Sequence, residues 1–182
     1  MMFAMLYPLA LLQAVSAQTQ TQAQPPPPAA PGCTGAEFSA FDFWVGEWDV
    51  YPTGRETLVA HSRIEKLYGG CAVRENWMPL KGPGGGSLNG FNPQTGNWQQ
   101  FWIGASPGPV EFIGGPSPEG GMVMTGYWID FDGPGKTAMV RQTYSVLDSG
   151  VVRQHGEASF DHGLTWATRY DFTYRRRREP LA

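Results

Sequence analysis

The sequence is poor in charge, histidine and cysteine. Of its 182 residues only 16% are charged, the net charge is -3, and there are three histidines and two cysteines. A slightly acidic chain without a basic stripe has no field that would gather nucleic acid, so no nucleic-acid partner is expected. No pair of histidines has metal-ligand spacing, which argues against a structural zinc site, and we expect no metal. The glycine-rich stretch 82–86 lacks the Lys-Ser/Thr ending and the following helix of a P-loop.

Long hydrophobic runs are also missing, except at the start of the chain. Met1 to Ala14 is apolar but too short to span a bilayer, and Val15-Ser16-Ala17 supplies the small residues of a signal-peptidase site. We therefore expect residues 1–17 to be a signal peptide, with an uncleaved anchor as the alternative. The mature protein would be periplasmic or secreted, with no membrane span after cleavage. Residues 18–32, with four consecutive prolines, are expected to be a disordered linker.

What the chain has in abundance is glycine, proline and aromatic residues, with 24 Gly, 16 Pro and 13% aromatics. Short stretches of strand-like alternation are separated by turn residues, and no useful helical period appears. We predict ten strands, at residues 42–51, 56–67, 71–78, 86–92, 97–104, 109–114, 121–129, 136–147, 150–160 and 164–175. Regularly spaced short strands indicate an antiparallel meander or a sandwich, and closure would remove exposed edges. We predict an all-β, single-domain, up-and-down antiparallel barrel over residues 33–178, followed by a tail at 179–182.

The first strand organises the rest of this prediction. Phe41 to Tyr51 alternates in polarity, and Gly46 before Trp48 lets the backbone bend beneath a large ring, so these two residues are expected to close the barrel floor. Cys33 and Cys71 can form one disulfide in an exported chain, pinning the segment before the first strand to a later one. Two free thiols are the alternative.

Several middle strands carry aromatic, thioether and amide side chains on one face. By parity Glu75 shares a face with Trp77, Trp98 with Gln100 and Trp102, and Met122 with Met124 and Trp128. In a hollow barrel such faces would line a pocket for a small, mostly apolar molecule. The alternative is a solid core filled by the same rings. The predicted ligand-binding residues are Glu75, Trp77, Trp98, Gln100, Trp102, Met122, Met124 and Arg141.

Residues Ser159 to Trp166 match the Asp-box pattern S-x-D-x-G-x-T-W. The pattern predicts a hairpin in which Asp161 accepts from backbone amides, Gly163 takes a positive φ and Trp166 packs over the loop. These residues are therefore assigned a structural role. Sialidase propellers need several such boxes and a much longer chain, so this activity is not expected.

One further cluster lies on the strand before this hairpin. Arg153, His155 and Glu157 share a face, where His155 could act as an acid or base or ligate a metal or haem iron. A solvated outer face of alternating charge explains the same residues, and we favour that interpretation.

The segments FDFWVGEWDV, GGCAVRENW, GSLNGFNPQTGNWQQFWI and VVRQHGEASFDHGLTW resemble a family of exported bacterial proteins of unknown function with a calycin-like barrel, over nearly all of Phe41 to Arg176. Gly46-Glu47-Trp48 is also similar to the lipocalin G-x-W signature, and the resemblance places Arg175 as the basic residue over that tryptophan. The related nitrobindins hold haem through a histidine near the last strand. Residues 164–182 contain none, so haem is not expected, nor any other cofactor. By resemblance, the family's characteristic positions are Trp44, Gly46, Trp48, Cys71, Glu75, Trp77, Trp98, Gln100, Trp102, Gln154, Ser159, Asp161, Gly163 and Trp166.

These observations predict a binding protein for a small hydrophobic or amphipathic ligand, with tryptophan and methionine walls and Glu75, Gln100 and Arg141 as polar anchors. The first alternative is a cavity hydrolase or isomerase that uses Glu75 or His155 as base and Arg141 to hold an anion. The second is an envelope protein that acts through surface contacts and has no pocket. The sequence leaves the oligomeric state open.

Overall fold

The computed structural model describes residues 32–178, which form a closed barrel of ten antiparallel strands. Each strand pairs with its neighbours in the chain, and the last pairs with the first, so the predicted up-and-down barrel is confirmed. The predicted signal peptide, all of the predicted linker except Gly32, and the tail lie outside the described residues. The strands are β1 (Gly46–Pro52), β2 (Ala60–Leu67), β3 (Ala72–Pro79), β4 (Gly85–Asn92), β5 (Asn97–Ile103), β6 (Val110–Pro116), β7 (Met122–Trp128), β8 (Ala138–Val146), β9 (Val152–Ser159) and β10 (Ala167–Arg176).

The segment before β1 is helical rather than extended. A short helix α1 (Ala36–Ser39) leads into a 3-10 turn at Asp42–Trp44, so the strand predicted to begin at residue 42 begins at Gly46. Both Phe41 and Trp44 are fully buried. Residues three apart point to opposite faces of a strand but to the same side of a helical turn, which explains the difference.

This helical segment fills one end of the barrel, which we call the closed end. The Phe41 ring stacks on Trp44 at 5.0 Å between centroids and meets the Tyr144 ring edge-on, also at 5.0 Å. Trp48 Nε1 donates to the Trp44 carbonyl at 2.8 Å, and Trp98 Nε1 donates to a carbonyl of α1 at 3.1 Å. Because these rings are at most 1% exposed, the closed end has a dry aromatic core.

A disulfide ties the same segment to the barrel wall. Cys33 bonds to Cys71, just before β3, across 38 residues of chain, so the predicted disulfide is confirmed. Its presence fits a protein of an oxidising compartment.

An arginine covers Trp48 from the end of β10, but it is not the predicted Arg175. Register pairs Trp48 with Arg176, whose guanidinium lies 4.1 Å from the Trp48 ring centroid and donates to the Val45 carbonyl at 2.6 Å. Gly46 has a φ of 147°, and a Cβ there would overlap this guanidinium. Arg175 has the opposite parity, so its side chain lies on the outer face, over Tyr51 at 4.6 Å.

The opposite end carries the loops that follow the odd-numbered strands, and we call it the open end. The Asp-box hairpin between β9 and β10 is one of them. Asp161 Oδ1 accepts from the Thr165 amide at 2.9 Å and from Ser159 Oγ at 2.6 Å, and these hydrogen bonds hold the pKa of Asp161 well below its usual range. Gly163 has a φ of 90°, and its carbonyl accepts from Trp166 Nε1 at 3.0 Å.

Candidate ligand-binding cavity

The inward face of the barrel is unusually polar at mid-height. Two serines, one glutamate and four amide residues point inward and are almost fully buried, where aliphatic side chains are the usual choice. Buried polar groups need hydrogen-bond partners, and inside a closed barrel these must come from neighbouring inward positions. The residues are Ser62, Glu75, Ser87, Asn89, Gln100, Gln142 and Gln154.

The amides form a continuous hydrogen-bonded chain around the interior. Gln100 Nε2 donates to Asn89 Oδ1 at 2.7 Å, and Gln142 Nε2 donates to Gln100 Oε1 at 2.8 Å. Gln154 Nε2 donates to Gln142 Oε1 at 2.8 Å, and Gln154 Oε1 accepts from the Tyr174 hydroxyl at 2.7 Å. An amide both donates and accepts, so such a chain can cross from strand to strand with every link satisfied.

Glu75 ends this chain on the β3 side. Its Oε2 accepts from Ser87 Oγ at 3.1 Å, and Ser87 in turn accepts from Asn89. Burial raises the pKa of Glu75 to about 7, against a lowering by the hydroxyls of Ser87 and Ser62. Ser62 Oγ itself has no hydrogen bond of standard geometry within residues 32–178.

Above Glu75 the interior is hollow. A cavity of about 120 Å³ lies there. Among the described residues that line it, none is basic. Its lining consists of Glu75, Trp77, Trp102, Trp128, Gln154, Tyr170 and Tyr174. The volume corresponds to about four water molecules, so the cavity itself accepts only a small molecule or one group of a larger molecule.

A second hollow lies at the loops of the open end and shares three lining residues with this cavity. It measures about 200 Å³, and its walls include the loop residues Pro83 and Ser106. Both hollows share the rings of Trp77, Trp102 and Trp128. These three tryptophans are partly exposed, whereas those of the closed end are buried. The three indoles therefore form a rim between the loops and the carboxyl below.

Tyr170 reaches the cavity through an irregularity in β10. The pairing with β9 skips Arg169, so Thr168 lies opposite Glu157 while Tyr170 lies opposite Gly156. Such a bulge re-aims the following side chain. The ring then fits because position 156 is glycine, since a Cβ there would overlap it.

The structure brings together some of the predicted ligand-binding residues and separates others. Glu75, Trp77 and Trp102 line the cavity, and their binding role stays a prediction. Gln100, Met122 and Met124 face inward but lie outside the cavity lining, and Trp98 belongs to the closed end.

Arg141 requires a correction, because it lies on the outer face of β8. Its guanidinium donates to Glu157 at 2.9 Å and lies over the Trp166 ring at 4.2 Å. The inward positions of β8 are even-numbered, as with Gln142, so Arg141 cannot anchor a ligand inside the barrel.

His155 is also on the outer face, which removes it as a base within the cavity. Its Nε2 lies 2.9 Å from Thr168 Oγ1, and the neighbouring Arg153 pairs with Asp171. The favoured interpretation of this cluster as a charged outer face agrees with these contacts.

Four residues of the cavity lining are absent from the predicted site. Parity alone would have added Gln154, Trp128 and Tyr174, whereas the position of Tyr170 depends on the bulge in β10.

A larger concavity, of about 620 Å³, lies on the outer face of β3 to β6. Its apolar lining includes Leu88, Phe101 and Ile113, which are 45%, 40% and 51% exposed. These side chains point away from the barrel interior, whereas the side chains that line the smaller cavity point inward. We therefore place the candidate site in the smaller interior cavity.

Comparison with known proteins gives the fold no family name. No family model matches the chain, and no curated protein matches it. The ten-stranded closed barrel is consistent with a calycin-like fold, while the resemblance to an exported family is an expectation from sequence. Across residues 32–178 no group of three or more His, Cys, Asp or Glu side chains is placed to hold a metal ion. In the same part of the chain no helix combines the length and apolar character needed to cross a membrane.

Proposed function

We propose that this protein binds a small, mostly apolar molecule in the cavity beneath Trp77, Trp102 and Trp128. The observation that carries the proposal is the inward-facing cavity itself, which has aromatic walls, a single carboxyl and a few hydrogen-bonding groups. Ligand sites in proteins are typically concave and mostly apolar, with few polar groups that fix orientation.

The surroundings of the cavity support a preformed site. The amide chain holds Gln154 and Tyr174 in place, and Trp77 packs on Phe172 at 5.5 Å between centroids. Side chains already fixed before binding lose little conformational freedom when a ligand arrives, which favours affinity.

Export forms part of the same proposal. We infer that residues 1–17 direct the chain out of the cytoplasm and that the ligand is met in the periplasm or outside the cell. The Cys33–Cys71 disulfide supports this inference, because such bonds persist in oxidising compartments.

Native mass spectrometry of protein purified from its own cell envelope tests the binding proposal. We expect a small bound molecule that is released on unfolding, and Trp102→Ala should reduce its occupancy by removing one wall. Phe101→Ala is the matched control, because Phe101 is the adjacent residue of β5 on the outer face. Equal occupancy in Trp102→Ala and the wild type would contradict the assignment to this cavity.

A second candidate function, a cavity enzyme, is favoured by one observation. A carboxyl with a pKa of about 7 populates both protonation states at neutral pH, as a general acid or base requires. If the copurifying molecule is turned over, Glu75→Gln should abolish turnover while retaining binding. Unchanged turnover in Glu75→Gln would exclude this carboxyl as the catalytic group.

A further inference from the structure

We propose that the ligand is a small organic cation of the alkylammonium class, held among the ring faces with its charge beside Glu75. This inference rests on the proposed binding function and narrows it to one chemical class.

The first argument concerns charge. Glu75 is 5% exposed, and its hydrogen bond comes from a neutral hydroxyl, so it has no countercharge within the cavity lining. Among residues 32–178, the basic side chains at inward-facing strand positions lie at the closed end. There Lys66 pairs with Asp42, and Arg176 covers Trp48. A buried carboxylate is costly without a paired cation. A cationic ligand supplies the missing charge.

The second argument concerns the walls. The cavity presents five aromatic side chains, three of them indoles, around one carboxyl. Indole faces attract cations most strongly among the aromatic side chains, and the attraction is greatest where the cation has lost its water. A cage of several aromatic rings is a common way for proteins to recognise quaternary ammonium groups.

The third argument excludes an anionic ligand. An anionic ligand would have to approach the Glu75 carboxyl with no basic residue in the described lining to compensate. A neutral ligand would form no charge pair with Glu75, whose carboxyl would stay neutral by keeping the proton that burial favours. The cavity of about 120 Å³ limits the charged end to a compact group, while a longer substituent extends into the outer hollow of about 200 Å³.

The test compares choline with 3,3-dimethylbutan-1-ol, in which carbon replaces the quaternary nitrogen. Both are titrated into the purified protein at pH 8 while tryptophan fluorescence is followed. We expect choline to bind about tenfold more tightly or better than the alcohol, the scale of a desolvated cation–π contact. Glu75→Gln should reduce this preference by removing the carboxylate's share of it, and Glu111→Gln, which changes an exposed carboxyl on β6, should retain it in full.

A second measurement follows the Glu75 carboxyl directly by NMR. Its pKa should fall when choline binds, because a nearby cation favours the ionised form. An unchanged pKa at saturating choline would overturn the proposal even if choline binds.

The remaining outcomes are also distinct. Equal or tighter binding of the alcohol overturns the cation class but leaves the proposed binding cavity intact. If choline fails to bind and a neutral or anionic molecule copurifies with the protein, the cation class is again overturned and the proposed binding cavity again stands. If no molecule occupies the cavity in either experiment, both proposals fall.

Discussion

Glu75 is an acidic side chain at an inward, nearly dry position of a strand. Its neighbours are hydroxyls, amides and tyrosines, so its charge is solvated by dipoles only. The titratable groups that respond to its charge are Tyr144, Tyr170 and Tyr174, and burial raises the pKa of all three. Among these groups, Glu75 is the one whose protonation changes near neutral pH.

This carboxyl should make stability depend on pH. Its pKa of about 7 in the folded protein exceeds the ordinary value of 4.5, so the folded state holds a proton that the unfolded state releases. Its contribution is fully present below pH 4.5 and is lost as pH rises through 7. Between pH 5 and pH 8 the free energy of unfolding should fall by about 2–3 kcal/mol through this group.

Urea unfolding of the wild type and Glu75→Gln at both pH values measures this effect. The variant should lack this component of the slope, and Glu111→Gln should keep it. A wild-type slope that Glu75→Gln leaves unchanged would refute the assignment.

The close contact between Gly156 and the Tyr170 ring leads to a second prediction for a single residue. Alanine there overlaps the Tyr170 ring, so Gly156→Ala should destabilise the protein by roughly 1–3 kcal/mol and reduce ligand occupancy. Gly115→Ala on β6 is the control, because its Cβ would meet no atom within 4 Å. Thermal unfolding and native mass spectrometry of both variants check this, and equal behaviour would contradict it.

At the scale of elements, the sequence predicted the strands but not the helical turn before β1, the bulge in β10 or the pairing of β1 with β10. Period-two alternation and turn residues located all ten strands, because each has one buried face. The turn at Asp42–Trp44 was hidden because its aromatic residues also fit a strand pattern. Similarly, the bulge before Tyr170 and the pairing of Trp48 with Arg176 depend on register, which a single strand's sequence does not contain.

The disulfide should stabilise the closed end as a unit. Replacing both Cys33 and Cys71 by serine frees α1 and the aromatic turn from β3, and it removes a cross-link spanning 38 residues. We expect a loss of about 2–4 kcal/mol in the free energy of unfolding, measured with chemical denaturant. A loss below about 0.5 kcal/mol, within the range of ordinary surface substitutions, would show that aromatic packing alone holds the segment.

The two adjacent arginines of β10 should differ sharply. Arg176→Ala removes the cover of Trp48 and the bond to Val45, and should cost about 1–2 kcal/mol. Arg175→Ala removes an exposed pair with Glu56 and should have only a small effect. Comparison of the two melting temperatures decides this, and a larger effect at Arg175 would contradict the register-based account.

At the scale of the whole molecule, the barrel divides its tryptophans by height. The closed end holds Trp44, Trp48 and Trp98 in a packed core, and the cavity rim holds Trp77, Trp102 and Trp128. Parity predicted that indoles of β3, β5 and β7 face inward. It carries no information on height or packing, so the sequence could not decide between a pocket and a solid core.

The most direct measurement is the response of the seven indole N–H signals to a ligand in a proton–nitrogen correlation spectrum, assigned by single Trp→Phe variants. Choline and its neutral analogue are added in separate titrations. We predict that at least one of them shifts the signals of Trp77, Trp102 and Trp128 together. The signals of the closed end and of Trp166 should stay in place. Shifts confined to the closed end or to Trp166 would contradict a binding cavity at the open end, and so would the absence of any shift with either compound where no molecule copurifies with the protein.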